Sequence, residues 1–378
     1  MATTPLPSVA AITIVRRYPV ILETVVAADI ERTARTIPVM IPGCYSLIAP
    51  DVELWYKGGG MGKIVALGEV VADIYRAGSE RPEELPFIAR PGGAPANLAA
   101  AAARLGSVAA FIGRVGEDLF GNFILHALQA CGVDVSGVRR CDPPTRTSIA
   151  FVEVSPSGER SFTFYRTSPA ADELLSAEDV TRKSLSGASF VTFGSIPLLR
   201  EPSRSAVRRA VELAEELDVP VAFDVNLRPH LWEGLEEARR EILPLLGRAR
   251  IVKLSDDEIG PLLGTEEPLA AAGRLLEAGV SLAFITLGAA GAFYAAPGFR
   301  GSVPAFSVRA VDSTGAGDAF TAAVLDHLSR GPWSEARVRE AATRGAAAGA
   351  LVCTAFGALG ALPDAGEVEA LISSGAPG

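Results

Sequence analysis

The residues best placed to do chemistry lie in one glycine-rich stretch, Val311 to Phe320, which follows an apparent strand at Phe306–Val311. Gly315 and Gly317 let the backbone bring several N–H groups close to a ligand, because glycine has no side chain to obstruct the approach. A helix is predicted directly afterwards, since apolar residues recur at helical spacing from Phe320 to Leu328. The turn therefore offers N–H donors and the positive end of a helix dipole, which suit an anionic oxygen.

Asp318 does not fit simple anion binding, because a carboxylate in this turn would repel a phosphate. The conflict disappears if Asp318 accepts the proton of a substrate hydroxyl. The amides of Gly315, Ala316 and Gly317 would then stabilise charge on a transferring phosphoryl group. The alternative is structural, since Asp is common in the first turn of a helix. The stretch alone leaves both interpretations open.

Composition limits the possible partners. The chain has 378 residues and 49% hydrophobic content, enough for one large α/β domain or two smaller ones. Its net charge of −9, from 35 Lys and Arg against 44 Asp and Glu, argues against nucleic acid and anionic membrane surfaces. The 4 cysteines lack C-x-x-C spacing and the 3 histidines are scattered, which disfavours zinc and disulfide scaffolds. We therefore expect a reducing, cytoplasmic compartment.

The first part of the chain differs from the rest. Residues 1–60 are rich in proline and show no sustained period, no legible signal peptide and no run long enough to span a membrane. The sequence predicts that residues 1–60 are a poorly ordered or non-native extension and that Met61 is the natural first residue. Gly60-Met61-Gly62-Lys63 is no phosphate loop, because Lys57 stands where its first glycine belongs.

From Ile64 the chain alternates between strand and helix. Short β-rich runs predict strands at Ile64–Leu67, Val108–Ile112, Phe190–Phe193, Val219–Phe223, Arg250–Leu254 and Leu282–Leu287. Helices are predicted at Ala94–Leu105, Phe120–Cys131, Pro202–Leu217, Leu235–Leu246 and Leu269–Ala278. This alternation indicates a mostly parallel sheet with helices on both faces, a class that binds ligands at the carboxyl ends of its strands.

Two segments interrupt the alternation, at about 70–90 and 145–166. The second reads as a hairpin, with a turn at Ser155-Pro156-Ser157-Gly158 between strands rich in β-branched and aromatic residues. Extra strands inserted between the units of an α/β core predict a small sheet that closes over the cleft as a lid and excludes water.

A second glycine-rich turn lies between these segments, in Arg90 to Ala99. Gly92 and Gly93 allow close approach of backbone to a ligand, and Asn97 in the first turn of the following helix both donates and accepts, as a polyhydroxylated sugar requires. A tight turn closed by alanine packing is the structural alternative.

With these motifs in place, the chain resembles the ribokinase-like (PfkB-type) carbohydrate kinases from Met61 to Pro363, and within them the fructokinases. The resemblance depends on the order of several motifs: Gly68-Glu69 with Asp73, Pro91 to Asn97, Gly113 to Gly121, Asp224 to Arg228, Lys253 to Glu258, Thr286 to Gly291, and Asp312 to Asp318. It implies a three-layer α/β/α domain over residues 61–375 with a mostly parallel central sheet and the small β-sheet lid.

The resemblance also implies roles at matched positions. Asp318 would be the general base, and Gly315, Ala316 and Gly317 the anion hole. The sugar would be held by Asp73, Gly92, Gly93 and Asn97, with Arg166 reaching in from the lid. The nucleotide would be bound by Thr286, Gly288, Gly291, Gly315, Gly317 and Ala346. Glu258 would organise Mg²⁺ through water, and a monovalent cation is a further cofactor that the family admits.

Structural alternatives stand beside three of these roles. Asp73 is also compatible with a strand-end cap, Glu258 with an exposed helix residue and Arg166 with a surface charge. Two positions depart from the family pattern. Ser255-Asp256-Asp257-Glu258 replaces the usual Asn-x-x-Glu, and Ala346 replaces a common Asn, so that apolar packing would carry more of adenine binding.

The leading hypothesis is ATP-dependent phosphorylation of a primary sugar hydroxyl, most simply the 6-hydroxyl of D-fructose. The same chemistry on 2-keto-3-deoxygluconate, ribose or a 5-dehydro-2-deoxygluconate-like acid remains open, because one hydroxyl contact decides the sugar. A non-catalytic sugar- or nucleotide-binding regulator is the alternative of another class, and a dehydrogenase is disfavoured because no G-x-G-x-x-G follows the first strand. The resemblance further predicts a homodimer through the lid.

Overall fold

The computed structural model of the chain describes residues 62–77, 83–154, 160–165 and 169–375. The predictions for residues 1–60, for Arg166 and for the hairpin turn at 155–158 fall outside these ranges. Among the described residues, no helix has both the length and the apolar character that a membrane crossing needs.

Strands and helices alternate as the sequence predicts. The strands are β1 (Lys63–Leu67), β2 (Val71–Arg76), β3 (Phe87–Gly92), β4 (Val108–Gly116), β5 (Asp134–Cys141), β6 (Ser148–Val154), β7 (Arg160–Tyr165), β8 (Phe190–Phe193), β9 (Val221–Asp224), β10 (Ile251–Ser255), β11 (Leu282–Thr286), β12 (Ala292–Ala296) and β13 (Phe299–Val303). The α-helices are α1 (Ala94–Arg104), α2 (Leu119–Ala130), α3 (Arg182–Leu185), α4 (Ser203–Glu216), α5 (Leu235–Leu246), α6 (Asp256–Leu263), α7 (Pro268–Glu277), α8 (Ala316–Leu328), α9 (Glu335–Val352) and α10 (Ala365–Ser374).

Nine strands form the main sheet, in the order β13-β12-β11-β10-β9-β8-β1-β4-β5. The strands from β11 to β5 are parallel to one another, and at one edge β12 pairs antiparallel with both β11 and β13. The prediction of a mostly parallel sheet is confirmed. Because parallel strands point the same way, the residues at the ends of β9, β10 and β11 reach one edge of the sheet.

Side-chain alternation along the strands divides the core between the two faces of the sheet. In β1, Ile64 and Ala66 pack in a core that includes the buried faces of α1, α8 and α9. Val65 and Leu67 point the other way, into a core shared with α4, α5 and α7. Both faces of the strand are apolar because both are covered, which gives three layers with the sheet in the middle.

A separate sheet of four strands has the order β3-β2-β6-β7. It is built from the two segments that interrupt the alternation, and β6 pairs with β7 as the predicted hairpin. The ring of Phe151 lies 5.1 Å from that of Phe87 and 5.0 Å from that of Tyr165, so aromatic contacts run across the sheet. Val71 and Asp73 of β2 line the cleft of the molecule, although closure of this sheet as a lid stays a prediction.

The boundaries of most elements agree closely with the sequence. Strand β8 and helix α5 have the predicted bounds, and β4 continues past its predicted end at Ile112 to Gly116. The agreement follows from the strong apolar periodicity of elements that are buried on one or both faces.

The predicted strand at Phe306–Val311 is wrong. Only Phe306 makes a strand-like bridge, and the following residues up to Asp312 run without ladder pairing. The apolar side chains of Phe306, Val308 and Ala310 line a large cleft instead. Ser307 between them lines the cleft as well, so the alternation of apolar and polar residues in this segment reflects neither pairing in a sheet nor a single buried side.

Candidate active site

A cleft of about 1050 Å³ lies at the carboxyl ends of β9, β10 and β11. It brings together most of the site residues predicted from the sequence: Asp73, Gly93, Asn97, Thr286, Gly288, Gly291, Gly315, Ala316, Gly317, Asp318 and Ala346. Gly92 and Glu258 do not line it among the described residues, and Arg166 lies outside them. The motifs that were separate in sequence therefore share one cavity.

Helix α8 begins at the predicted glycine-rich turn. Gly315 precedes its first residue with a φ of +83°, a left-handed conformation that a side chain would strain. A Cβ at this position would lie 2.6 Å from Cβ of Ala358, so the turn requires glycine for space as well. Gly315, Ala316 and Gly317 line the cleft at this positive end of the helix. The N–H of Ala316 donates to the carbonyl oxygen of Ser313 at 3.2 Å.

Asp318 lies half-buried in the first turn of α8 and lines the same cleft. Its Oδ2 accepts a hydrogen bond of 2.8 Å from Nδ2 of Asn97, on α1. The contact joins the two glycine-rich turns through one amide and one carboxylate. Asp318 is therefore directed to the cleft instead of capping its own helix.

The pKa of Asp318 is raised to about 6, chiefly by burial and then by the negative charge of Asp224. The hydrogen bond from Asn97 and the positive charges of Lys253 and Arg228 oppose the shift in this pKa. A carboxylate with a pKa near neutrality is ionised at physiological pH and still basic enough to accept a proton from an alcohol at the transition state.

Three buried polar groups lie together beside Asp318. Lys253 Nζ donates to Asp224 Oδ1 at 3.1 Å, and Thr321 Oγ1 donates to Asp224 Oδ2 at 2.6 Å. Asp224 is the last residue of β9, Lys253 lies in the middle of β10, and Thr321 comes from α8. Sequence reasoning gave this group no role. The available signal was a lysine in the middle of the otherwise apolar strand Ile251–Ser255, where an unpaired charge is costly.

The amino end of α1 forms the second wall of the cleft. Gly93 precedes α1 with a φ of +102°, and a Cβ there would lie 2.6 Å from the carbonyl oxygen of Glu69. A Cβ on Gly92 would lie 2.1 Å from Oδ2 of Asp73, so Gly92 makes room for that carboxylate. The two glycines serve the packing of the acidic side chains as well as the turn.

This wall carries oxygen atoms that lack hydrogen-bond donors within the described part of the chain. They are Oδ1 of Asn97 and Oε2 of Glu69, which are both buried. Oε1 of Glu69 accepts the N–H of Ala94 at 3.2 Å, and burial raises the pKa of Glu69 to about 8. Asn97 Oδ1 is a buried acceptor, and Glu69, which is mostly protonated at neutral pH, both accepts and donates, so the pair suits a ligand rich in hydroxyl groups.

The opposite end of the cleft is mostly backbone and small side chains. Gly288 and Gly291 have φ values of +54° and +96°, and a Cβ on Gly291 would lie 2.0 Å from the carbonyl oxygen of Val303. Thr286 donates to the carbonyl oxygen of Leu254 at 3.4 Å. Ala346, on α9, presents only a methyl group to the cleft. This end suits a flat apolar ring bound by packing and backbone contacts.

Two acidic residues at the start of α6 differ in their surroundings. Asp256 is exposed and lines the cleft, whereas Glu258 is buried and accepts the N–H groups of Ser255, at 2.7 Å, and of Leu227. Oxygen donors of this kind fit a hydrated Mg²⁺ that retains its water ligands. Glu258 fits such an ion only through water, because its carboxylate is engaged by backbone.

Comparison with known proteins decides the family. A family model described as pfkB family carbohydrate kinase matches residues 61–365. The chain belongs to this family. It is a carbohydrate kinase of the fructokinase type, with the ribokinase-like fold that the resemblance implied.

The relatives of this pfkB kinase include a fructokinase of Zea mays, Fructokinase-1, which is 41% identical over 317 residues and is matched over 82% of this chain and 97% of its own. Among solved structures, a Vibrio cholerae O395 fructokinase with fructose, ADP and calcium bound is 35% identical with a TM-score of 0.74, covering 82% and 99% of the two chains. A putative ribokinase II from E. coli, in complex with ATP and Mg²⁺, is 29% identical with a TM-score of 0.74 and covers 83% and 100%.

Replacing Asp318 with Asn is predicted to stabilise the folded protein at about pH 8. The folded-state pKa of Asp318 lies above its ordinary value of 3.8, so ionisation opposes folding above about pH 6. Asn removes that charge, and we expect a gain of about 1–2 kcal/mol in the free energy of unfolding that disappears as the pH falls below about 4. Urea titrations over this pH range measure the gain.

The matched control is Asp364→Asn, which changes an exposed cap of α10. We expect this control to stay within about 0.5 kcal/mol of the wild type at each pH. An Asp318→Asn protein that is less stable than the wild type at about pH 8 would contradict the burial of charge at this site.

Proposed function

We propose that this kinase transfers the γ-phosphoryl group of ATP to the 6-hydroxyl of D-fructose, with Asp318 as general base. The observation that carries the proposal is the position of Asp318 at the positive end of α8, in the cleft, with a raised pKa. It lies between a wall of hydroxyl-binding groups and an end suited to an adenine ring, so both substrates would meet at its carboxylate.

The reaction follows from this arrangement. The sugar hydroxyl would donate its proton to Asp318 as its oxygen forms a bond to the γ-phosphorus, and the bond from that phosphorus to ADP breaks. The N–H groups of Gly315 and Gly317, at the positive end of α8, would stabilise charge on the transferring group. The N–H of Ala316 would join them on exchanging its bond to the carbonyl oxygen of Ser313 for one to the phosphoryl group. Asn97 would hold Asp318 at the hydroxyl through their hydrogen bond.

Magnesium belongs to the proposal as the partner of ATP. When bound, Mg²⁺ neutralises charge on the phosphate oxygens. Asp256 at the edge of the cleft and Glu258 behind it would hold the ion through water, consistent with the E. coli neighbour that binds ATP with Mg²⁺. The nucleotide itself would contact Thr286, Gly288 and Gly291 and pack on Ala346.

The acidic wall supports a neutral sugar over a sugar acid. Glu69, Asp73 and Asp318 all line the cleft, and their oxygens suit hydroxyl donors. A carboxylate on the substrate would approach Asp73 and Asp318 at a cost, because like charges repel strongly in a partly desolvated site. Glu69, with a pKa of about 8, is mostly neutral near pH 7 and adds hydrogen-bonding capacity but no repulsion. Fructose is the sugar named for the maize relative and bound by the Vibrio neighbour, and it carries no charge.

Asp318→Asn is predicted to abolish sugar-dependent release of ADP while sugar and ATP binding stay close to wild type. The reason is that Asn retains the shape of the side chain and loses only the ability to accept the proton. Single-turnover assays with fructose, together with calorimetric titration of each substrate, measure both properties. Asp364→Asn again serves as control, and retention of most activity by Asp318→Asn would exclude it as the base.

The rate of the wild-type enzyme is predicted to fall as the pH is lowered through about 6, because protonated Asp318 accepts no further proton. The decline in kcat/KM should approach tenfold per pH unit. Asp224→Asn leaves the effect of burial and removes the negative charge that adds to it in raising the pKa of Asp318, so the decline should begin at lower pH in this variant. A profile that Asp224→Asn leaves unmoved would contradict the assignment of the titrating group.

A panel of acceptors tests the sugar. We expect D-fructose to give a higher kcat/KM than ribose, 2-keto-3-deoxygluconate or 5-dehydro-2-deoxygluconate in assays of ADP release. The compound 6-deoxy-D-fructose is the matched control, since it should inhibit fructose turnover and accept no phosphate. Preference for a keto acid would contradict the proposal that the acidic side chains of the cleft favour a neutral sugar. Turnover of the deoxy sugar would contradict transfer to position 6.

The four-stranded sheet is proposed to pair two copies of the chain. Phe87, Ile88 and Tyr165 of this sheet are 45%, 50% and 62% exposed, and apolar surface of this kind marks an interface. We expect light scattering at micromolar concentration to give the mass of a dimer. Phe87→Asp should give a monomer, whereas Leu269→Asp, at an exposed apolar site on α7, should not. A monomeric wild type would contradict this pairing.

A further inference from the structure

Lys253 is a charged residue in the middle of the central sheet. It occupies the third position of β10, between strands β9 and β11, and is only 7% exposed. Its ammonium pairs with Asp224 at 3.1 Å and lines the cleft. A buried ion pair contributes little to stability compared with apolar residues of the same volume, so its presence here calls for another reason.

The ammonium lies directly against the first turn of α8. A Cβ placed on Gly317 would lie 3.0 Å from Nζ and 3.9 Å from Cε of Lys253, with no other atom within 4 Å. The positive end of the helix and the charge of Lys253 therefore meet at one point of the cleft. Asp224 and Asp318 already balance part of this positive charge, and an anionic ligand oxygen at this point would be attracted by both Lys253 and the helix end.

Asp224 uses both of its oxygens in hydrogen bonds, whereas Lys253 uses only one of its N–H groups among the described residues. Asp224 is fully engaged, because Lys253 takes one of its oxygens and Thr321 the other. An ammonium has three N–H donors, and within the described ranges Lys253 donates only to Asp224. Asp224 and Thr321 thus hold the ammonium in place while leaving donors for a ligand.

The charge of Lys253 persists in spite of burial. Burial alone would lower its pKa, but the negative charges of Asp224, Glu258 and Asp318 outweigh this effect and raise the pKa above its ordinary value. Lys253 is therefore an ammonium at neutral pH.

We propose that Lys253 is a catalytic residue whose ammonium donates to a non-bridging oxygen of the transferring phosphoryl group, with Asp224 and Thr321 as its positioning residues. The inference rests on the proposed kinase function and extends the anion hole from backbone amides to a side chain. Lys253 transfers no proton. Its charge offsets the negative charge of the phosphoryl group while Asp318 takes the proton of the hydroxyl.

Lys253→Met is predicted to lower kcat by about 100- to 1000-fold, the usual loss when one donor to a transition-state oxygen is removed. The affinity for ADP should stay within about threefold of the wild type. The affinity for ADP with aluminium fluoride and fructose, which imitates the transferring group, should fall by a factor close to that of kcat. Isothermal titration with and without aluminium fluoride, beside steady-state kinetics, measures these quantities.

Gly317→Ala provides a second variant that keeps the charge. Among protein atoms its methyl group would meet only the end of Lys253, and residue 317 has no positive φ to strain. The methyl group would displace the ammonium and also narrow the anion hole that Gly317 lines. Both effects should lower kcat and the affinity for the aluminium fluoride complex together, by at least about tenfold, with little change in thermal stability, so Lys253→Met remains the variant that isolates the ammonium. Arg204→Met, which breaks an ion pair of 3.4 Å with Glu241 between α4 and α5, controls for the loss of an ion pair and should keep kcat.

The outcomes separate the two proposals. Turnover of Lys253→Met within about threefold of the wild type would overturn the role of Lys253, as would equal loss of affinity for ADP with and without aluminium fluoride. A wild-type protein that consumes no ATP with any sugar would instead contradict the proposed function. Selective loss of the aluminium fluoride complex in Lys253→Met, with ADP binding retained, supports the inference.

Discussion

The site depends on placing ionised groups of both signs in one partly desolvated cleft without letting them neutralise each other fully. Asp224 lies between Lys253 and Thr321, and its charge raises the pKa of Asp318 without a direct hydrogen bond to it. Asn97 and Lys253 keep that increase moderate. The balance leaves one carboxylate that is basic and one ammonium that is charged, a combination that either group alone in this cleft would lack.

The parallel sheet is what makes this balance geometrically possible. Adjacent strands β9 and β10 bring Asp224 and Lys253 together, and the carboxyl edge of the same sheet receives the amino end of α8. Small residues then set the distances. Gly315 lets the turn pass Ala358, and Gly345 and Gly349 allow α9 to pack closely on Phe320 and Ala316 of α8. The same glycines that predict a turn thus also fix how near the helices come.

Much of the fold and of the site could be predicted because the signals are local. Periodicity located β8 and α5, and the glycine spacing around Asp318 pointed to an anion-binding turn. The strand predicted at Phe306–Val311 is wrong because the apolar residues of this segment line the cleft and do not pair in a sheet. Lys253 was missed because the partner that explains its charge is 29 residues away, and only the sheet brings Asp224 beside it. Contacts of that range are not encoded in local patterns.

Two buried oxygens, one on Asn97 of α1 and one on Glu69 beside it, affect which sugars the cleft would bind. Oδ1 of Asn97 and Oε2 of Glu69 have already given up water and found no donor among the described residues. Each such atom costs roughly 1–3 kcal/mol, which a hydroxyl at the right place would recover. A sugar that lacks the hydroxyl facing either atom would leave it without a partner, so these two positions would favour a sugar that carries both hydroxyls.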